Sequence, residues 1–171
     1  SLKAINEVKK LCDAEEPISI NVGENQIAFK KDNTVLVSRL IDAQFPDYRQ
    51  VIPAESNQKV QLETEALNRA LHRVALLCSD TRLMKFSFSA GQLNLSANDP
   101  NLGEAEETVP VQYTGEELAI GFNAKYVMDF LSVIHGDIIQ LSVNDPLSPG
   151  LFTSDAEEDT GFLCVIMPMR V

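Results

Sequence analysis

The sequence predicts an α+β fold assembled from repeated β-α-β-β-β units, and three observations lead there. Segments with apolar residues at helical spacing recur at intervals of roughly 55 to 65 residues. Each is followed by short runs rich in strand-forming residues and separated by turn chemistry such as Gly23-Glu24-Asn25 and Lys31-Asp32-Asn33. The 171 residues are 44% hydrophobic and 23% charged, close to an ordinary globular composition and far from that of disorder. At a prior of about 150 residues per domain, the chain holds one to two domains.

In the first unit, residues 2–12 read as a helix, with Ile5, Val8 and Cys12 on its core side. Lys3 and Lys10 lie on the far side with Glu7 between them. Strands are expected at 18–22, 26–30 and 34–41. In the second unit a strand at 60–62 precedes a helix over 64–78, which Thr64 is placed to cap by accepting a backbone N–H. Leu67, Leu71, Val74 and Cys78 form its buried stripe, Arg69 and Arg73 lie opposite, and Leu76 ends on the wet side. Strands follow at 84–89, 92–96 and 107–113. The third unit opens at 118–122, continues as a helix over 123–134 capped by Asn123, and adds strands at 138–143, 151–154 and 162–167. Its helix is expected to bury Tyr126, Val127, Phe130, Val133 and Ile134, leaving Lys125, Asp129 and Ser132 outside.

The first unit has no opening strand, so the chain reads as beginning inside a repeat. Residues 1–54 are expected to form the second half of one domain, truncated at Ser1, and residues 55–171 a complete pseudo-symmetric domain. The stretch Asp47-Tyr48-Arg49-Gln50, flanked by Pro46 and Pro53, is the connection.

Acidic residues number 25 against 14 Lys and Arg, a formal charge of −11 that repels polyanions at long range and disfavours ordinary tight nucleic-acid binding. Six of the fourteen cations, Lys3, Lys9, Lys10, Arg69, Arg73 and Lys125, nevertheless sit on the three helices. A surface lined by those helices would be less negative than the rest.

Several chemistries lack support. Apolar runs such as 75–78 and 162–167 fall far short of the roughly 18 to 20 residues a membrane span needs, and no leader pattern opens the sequence. Cys12, Cys78 and Cys164 lack metal-ligand spacing and read as buried free thiols of a reducing cytoplasm. The histidines His72 and His135 have no diagnostic serine or cysteine partner, and no phosphate-cradling glycine loop or nucleophile motif occurs. The acidic runs 104–107 and 155–159 lack the alternating ligands and turn glycine of a calcium loop, which favours a solvated loop or edge strand. The expected protein is not an enzyme and carries no cofactor or metal.

The ending Val165-Ile166-Met167-Pro168-Met169-Arg170-Val171, the linker Phe45-Pro46-Asp47-Tyr48-Arg49 and the segment Gly121-Phe122-Asn123-Ala124-Lys125-Tyr126 closely resemble the bacterial DNA polymerase III sliding clamp (beta subunit) family. The resemblance runs from the middle of the family's second domain through its third. One departure is local: Arg82-Leu83-Met84 stands in a shorter loop where the family has an Arg-Gly-Val stretch.

The resemblance implies a DNA-clamp fold with helices on one face of antiparallel sheets, in a head-to-tail dimeric ring that encircles duplex DNA without reading its bases. It implies that Lys3, Lys10, Arg69, Arg73 and Lys125 face DNA, and that Leu76, Leu77, Glu104, Glu106 and Glu107 form one side of the ring joint. It further implies a pocket for linear peptide motifs of DNA polymerase III subunits, the clamp loader and repair polymerases. Matching positions there are Pro46, Val51, Asn123, Tyr126, Leu147, Val165, Met167, Pro168, Met169 and Arg170. Methionines suit such a pocket because their flexible thioethers adapt to different apolar partners. The alternative is a free-standing acidic adaptor that binds peptides in the same groove and never encircles DNA.

Overall fold

The computed structural model describes residues 1–12, 16–44, 47–53 and 56–171, and the chain divides into two compact units, Ser1–Pro46 and Asp47–Val171. The division falls between Pro46 and Asp47.

The first unit contains helix α1 (Leu2–Leu11) and a three-stranded antiparallel sheet of β1 (Ser19–Val22), β2 (Gln26–Lys31) and β3 (Thr34–Arg39), in sequence order. Ser1 caps α1, its hydroxyl accepting from the Ala4 N–H at 3.4 Å. The β2–β3 hairpin closes through Asp32 and Asn33 between paired Lys31 and Thr34, with Asp32 in the left-handed region at φ 50°. Among the described residues of this unit only Phe29 is buried. The expected core side of α1 is therefore corrected: Ile5 is 51% exposed, Cys12 is exposed and Val8 is half-buried.

The second unit has two four-stranded antiparallel sheets. One has the order β7-β6-β5-β8, from β5 (Leu83–Ser89), β6 (Gln92–Asp99), β7 (Gly103–Pro110) and β8 (Leu118–Asn123). The other has the order β11-β10-β9-β4, from β4 (Gln58–Glu63), β9 (Ile138–Val143), β10 (Gly150–Ser154) and β11 (Leu163–Ile166). The opening strand of each repeat thus completes the sheet of the other: β4 pairs with β9, from Gln58↔Val143 to Glu63↔Ile138, and β8 pairs with β5, from Leu83↔Asn123 to Phe88↔Leu118. Two further bridges join the sheets to each other, Gln61↔Gln112 on one side and Gly121↔Met169 on the other.

Helices α2 (Thr64–Val74) and α3 (Ala124–Leu131) pack against each other and against these sheets. Leu67, Ala70, Leu71 and Val74 of α2 and Ala124, Val127, Phe130 and Leu131 of α3 are buried. They meet alternate residues of the strands, Met84, Phe86 and Phe88 on β5 and Leu93, Leu95 and Ala97 on β6, because successive strand residues point to opposite faces. Phe86, Phe122, Phe152 and Phe130 continue from one sheet through the other to α3, with ring centroids 5.4, 5.6 and 5.7 Å apart. Each such pair contributes about 0.5–1.5 kcal/mol beyond its buried area.

The helix starts show the same exchange between repeats. The first N–H of α2, from Thr64, donates to the Asp137 carbonyl at 2.8 Å, and the first N–H of α3, from Ala124, donates to the Arg82 carbonyl at 2.9 Å. Asn123 caps α3 as expected, accepting from the Lys125 N–H at 3.0 Å. Thr64 does not cap α2: it is already helical, and its hydroxyl donates to the Gly136 carbonyl at 2.7 Å. Arg82 takes φ 56° in the turn that leads into β5.

Other expectations change at element ends. The helix expected to reach residue 78 becomes a 3₁₀ turn at Ala75–Leu77, and α3 stops at Leu131, so Val133 is 55% exposed; Tyr126, in the first turn of α3, points outward at 57%. Strand β7 begins four residues before the expected start, which brings Glu104 into it. None of the three cysteines is fully buried: Cys12 is exposed, and Cys78 and Cys164 are half-buried.

Candidate functional site

The residues that the sequence singled out fall into three groups, and the C-terminal tail organises the first. Strand β11 follows β10 as far as Ile166↔Gly150, where Pro168, which has no N–H, interrupts the ladder. The tail then changes sheets: the Met169 N–H donates to the Gly121 carbonyl on β8 at 2.8 Å. Met167 stands at this crossing with 61% exposure, and Pro168 and Met169 are half-buried. Two residues along β8 from Gly121 lies Asn123, whose side-chain oxygen is committed to the α3 cap. Tyr126 extends outward from the first turn of α3, while Val165 is half-buried in β11.

Other residues assigned to this pocket are exposed: Leu147 at 74%, Val51 at 43%, and Arg170. Pro46 lies outside the described residues. The tail crossing brings Met167, Met169, Gly121 and Asn123 into one neighbourhood through β8. Gly121 was not singled out from the sequence for this approach, although a glycine in the middle of a strand is a signal that another backbone comes close.

The second group is divided between the units, with Lys3 and Lys10 on α1 of the first and Arg69, Arg73 and Lys125 on α2 and α3 of the second. Lys3, Lys10, Arg69, Arg73 and Lys125 are all exposed, yet four of them already have carboxylate partners. Lys10 pairs with Glu7 at 2.8 Å, Arg69 with Glu65 at 3.5 Å and Lys125 with Asp129 at 2.6 Å, each within its own helix. The Arg73 guanidinium leaves its helix and donates to both carboxylate oxygens of Glu107 on β7, the Nε bond measuring 2.9 Å. That bond is the main reason the Glu107 carboxyl is held below its ordinary range and the guanidinium above its own. Lys3 has no carboxylate partner among the described residues. The helix faces therefore carry alternating charge rather than a uniformly basic field.

The third group lies at the β7 edge. The 3₁₀ turn at 75–77 packs on β6 and β7, which places Leu76, 76% exposed, and half-buried Leu77 near the acidic strand. Glu104 is exposed, Glu106 accepts from the Asn94 amide at 2.8 Å, and Glu107 is held by Arg73. Among the described residues strand β7 pairs only with β6 in its sheet, leaving its other edge unpaired there.

Beyond the end of α3, His135 meets Asp159. The Asp159 carboxylate, buried to 6% exposure, accepts the backbone N–H of His135 at 2.9 Å and of Gly136 at 3.2 Å, and lies 3.0 Å from the His135 ring. His72 is exposed on α2. Among the described residues no group of three or more His, Cys, Asp or Glu side chains is arranged to hold a metal ion, and no helix is long and apolar enough to cross a membrane.

Residues 49–170 match the family described as DNA polymerase III beta subunit, C-terminal domain, and residues 1–47 match DNA polymerase III beta subunit, central domain. The beta sliding clamp of Chlamydia pneumoniae is 37% identical over 171 residues, covering 99% of this chain and 46% of that protein. That of Haemophilus influenzae is 35% identical with the same coverage. Among solved structures, the Bartonella birtlesii sliding clamp bound to griselimycin superposes with a TM-score of 0.78 at 34% identity, covering 99% of this chain and 46% of its own. The C. crescentus beta sliding clamp gives 0.78 at 33%, with 99% and 45% covered. The chain spans about half the length of the curated relatives it matches.

Proposed function

Because this chain belongs to the DNA polymerase III beta subunit family, we propose that it forms part of a replicative sliding clamp, a ring that encircles duplex DNA and tethers polymerases to it. The observation that carries this reading is the match of 99% of the chain to solved sliding clamps, at a TM-score of 0.78 and 34% identity. Residues 1–54 then supply part of the clamp's middle domain and residues 55–171 its C-terminal domain. The protein works without catalysis, in the cytoplasm, by topology.

The acidic charge of −11 suits such a ring. A clamp held by encirclement needs no tight phosphate contacts, and strong ones would slow sliding. Lys3, Lys10, Arg69, Arg73 and Lys125 face the duplex, and the carboxylate partners of the last four keep that attraction weak and salt-screened. The β7 edge with Leu76, Leu77, Glu104, Glu106 and Glu107 forms one half of a head-to-tail joint with a second subunit, where its carboxylates meet basic residues. Met167, Met169 and their neighbours, with Pro46 and Val51 from the linker, hold the linear motifs of polymerase, clamp-loader and repair partners. Family membership favours this reading over a free-standing adaptor.

The test is a chimaera in which this chain replaces the matching 46% of the Chlamydia pneumoniae clamp. The expected result is retention on nicked circular DNA after loading, release when the circle is linearised, and processive synthesis by the cognate polymerase. A folded, dimeric chimaera that dissociates equally from circular and linear DNA would overturn the assignment.

A further inference from the structure

We infer that Gly121 is a positioning residue for the partner-peptide surface: its missing side chain is the seat that holds the C-terminal tail, and so Met167 and Met169, in place. This rests on the reading of that surface as a peptide site. A Cβ built on Gly121 would lie 2.6 Å from the Met169 carbonyl oxygen, 2.8 Å from Leu83 Cδ1 and 2.9 Å from Val171 Cγ2. Gly121 shares the outward face of β8 with Ala119 and Asn123, because Ile120 and Phe122 point into the core. It is buried all the same, and two of the three atoms crowding it belong to the tail.

The opposite seam shows why glycine is needed here. Gln61 and Gln112 join the sheets by two reciprocal backbone bonds, of 3.2 and 3.0 Å, and Gln61 carries a full side chain. At Gly121 the tail lies across the strand face, so its carbonyl occupies the space a side chain would take, while the Met169 N–H donates to the Gly121 carbonyl at 2.8 Å. Val171 and Leu83 also line one small cavity on this face, of about 200 Å³, so the tail is seated beyond Met169 as well. Between Ile166, beside β10, and Met169, beside β8, the chain crosses from one sheet to the other, and that short span sets where the Met167 side chain stands.

Adding a methyl group at Gly121 lifts the tail, and peptide binding weakens through the displaced methionines. The test measures binding of a fluorescent Gln-Leu-Ala-Leu-Phe pentapeptide to four proteins: the wild-type chain, Gly121→Ala, a variant lacking Met169 to Val171, and the combination. Gly121→Ala and the tail deletion should each weaken binding roughly fivefold or more, and the combination no further than the deletion alone, since residues acting through one element are not additive. If the deletion weakens binding and Gly121→Ala does not, or if Gly121→Ala still weakens the tail-deleted protein, the role of Gly121 is overturned and the peptide site stands. If the deletion itself has no effect, the peptide site fails and this inference with it. Hydrogen exchange on the unmodified chain tests the seat without any variant: the Met169 amide should be protected like a strand amide. Exchange of that amide at an unprotected rate would overturn the inference.

Discussion

Arg73 and Glu107 join the outward face of α2 to the edge strand β7 through two guanidinium–carboxylate bonds. One residue belongs to the proposed DNA-facing surface and the other to the proposed ring joint, so the charge state of each surface depends on the other. Each partner moves the other's titration outward, the carboxyl down and the guanidinium up. The contribution of Glu107 to stability is therefore present above the ordinary carboxylate range and is lost as pH falls through its lowered value.

Glu107→Gln is expected to release Arg73 toward phosphate. Weak binding of this chain to duplex DNA at low salt should tighten, and the plot of log affinity against log salt should steepen by about one contact. Arg73→Ala should have the opposite effect, and its small loss of thermal stability should vanish near about 1 M NaCl, where charges are screened within a few ångströms. Fluorescence anisotropy over a salt series checks both; identical slopes for wild type and Glu107→Gln would separate Arg73 from DNA.

Met167→Ala should weaken a Gln-Leu-x-Leu-Phe-type peptide by about 1–3 kcal/mol, because it removes a large apolar wall at the tail crossing. Its exposure in the free chain means that stability should hardly change. Calorimetry that returned wild-type affinity would place the peptide elsewhere.

The two helix starts should respond to different substitutions. Asn123→Ala removes a side-chain cap and is expected to cost about 1 kcal/mol. Thr64→Val keeps the shape but leaves the Gly136 carbonyl without its hydroxyl donor, for a loss of about 1–2 kcal/mol. Thr64→Ser should retain most of that stability, and urea denaturation of the three variants measures it.

The His135–Asp159 contact makes stability depend on pH with opposite signs at its two ends. The hydrogen bond to Asp159, with smaller help from the charge of Glu158, raises His135 above its ordinary 6.5, so its contribution is complete below 6.5 and lost as pH rises through the raised value. Asp159 is held well below its ordinary 3.8 by the Ser154 hydroxyl, then by the backbone and ring of His135 and the Gly136 N–H. Its contribution is complete above 3.8 and lost as pH falls toward the lowered value. Both operate fully between 3.8 and 6.5. The thermal midpoint should fall from about pH 5.5 to about pH 8.5 in wild type and fall less in His135→Gln. Equal falls would remove His135 from the balance.

What the sequence determined by itself was local. Residue spacing marked the buried stripe of α2 through Leu67, Leu71 and Val74, the turns on either side of β2 and the Asn123 cap, because each depends on neighbours within one helical turn or one hairpin. The quoted motifs at 45–49, 121–126 and 165–171 carried the family resemblance, and with it the proposed roles of the tail, the helix faces and the edge strand. Tertiary structure alone decided the exchange of β4 and β8 between repeats. A β-α-β-β-β pattern is the same whether an opening strand pairs within its own unit or with the other, and the choice appears only in the long-range ladders that run from Gln58↔Val143 and from Leu83↔Asn123. It also set Arg73 against Glu107, 34 positions apart, and turned the Thr64 hydroxyl from a cap into a donor to Gly136, 72 positions away. Gly121 shows the same limit. Its need for an empty side-chain position comes from a carbonyl 48 residues later in the chain, a contact that exists only once Met169 has crossed from one sheet to the other.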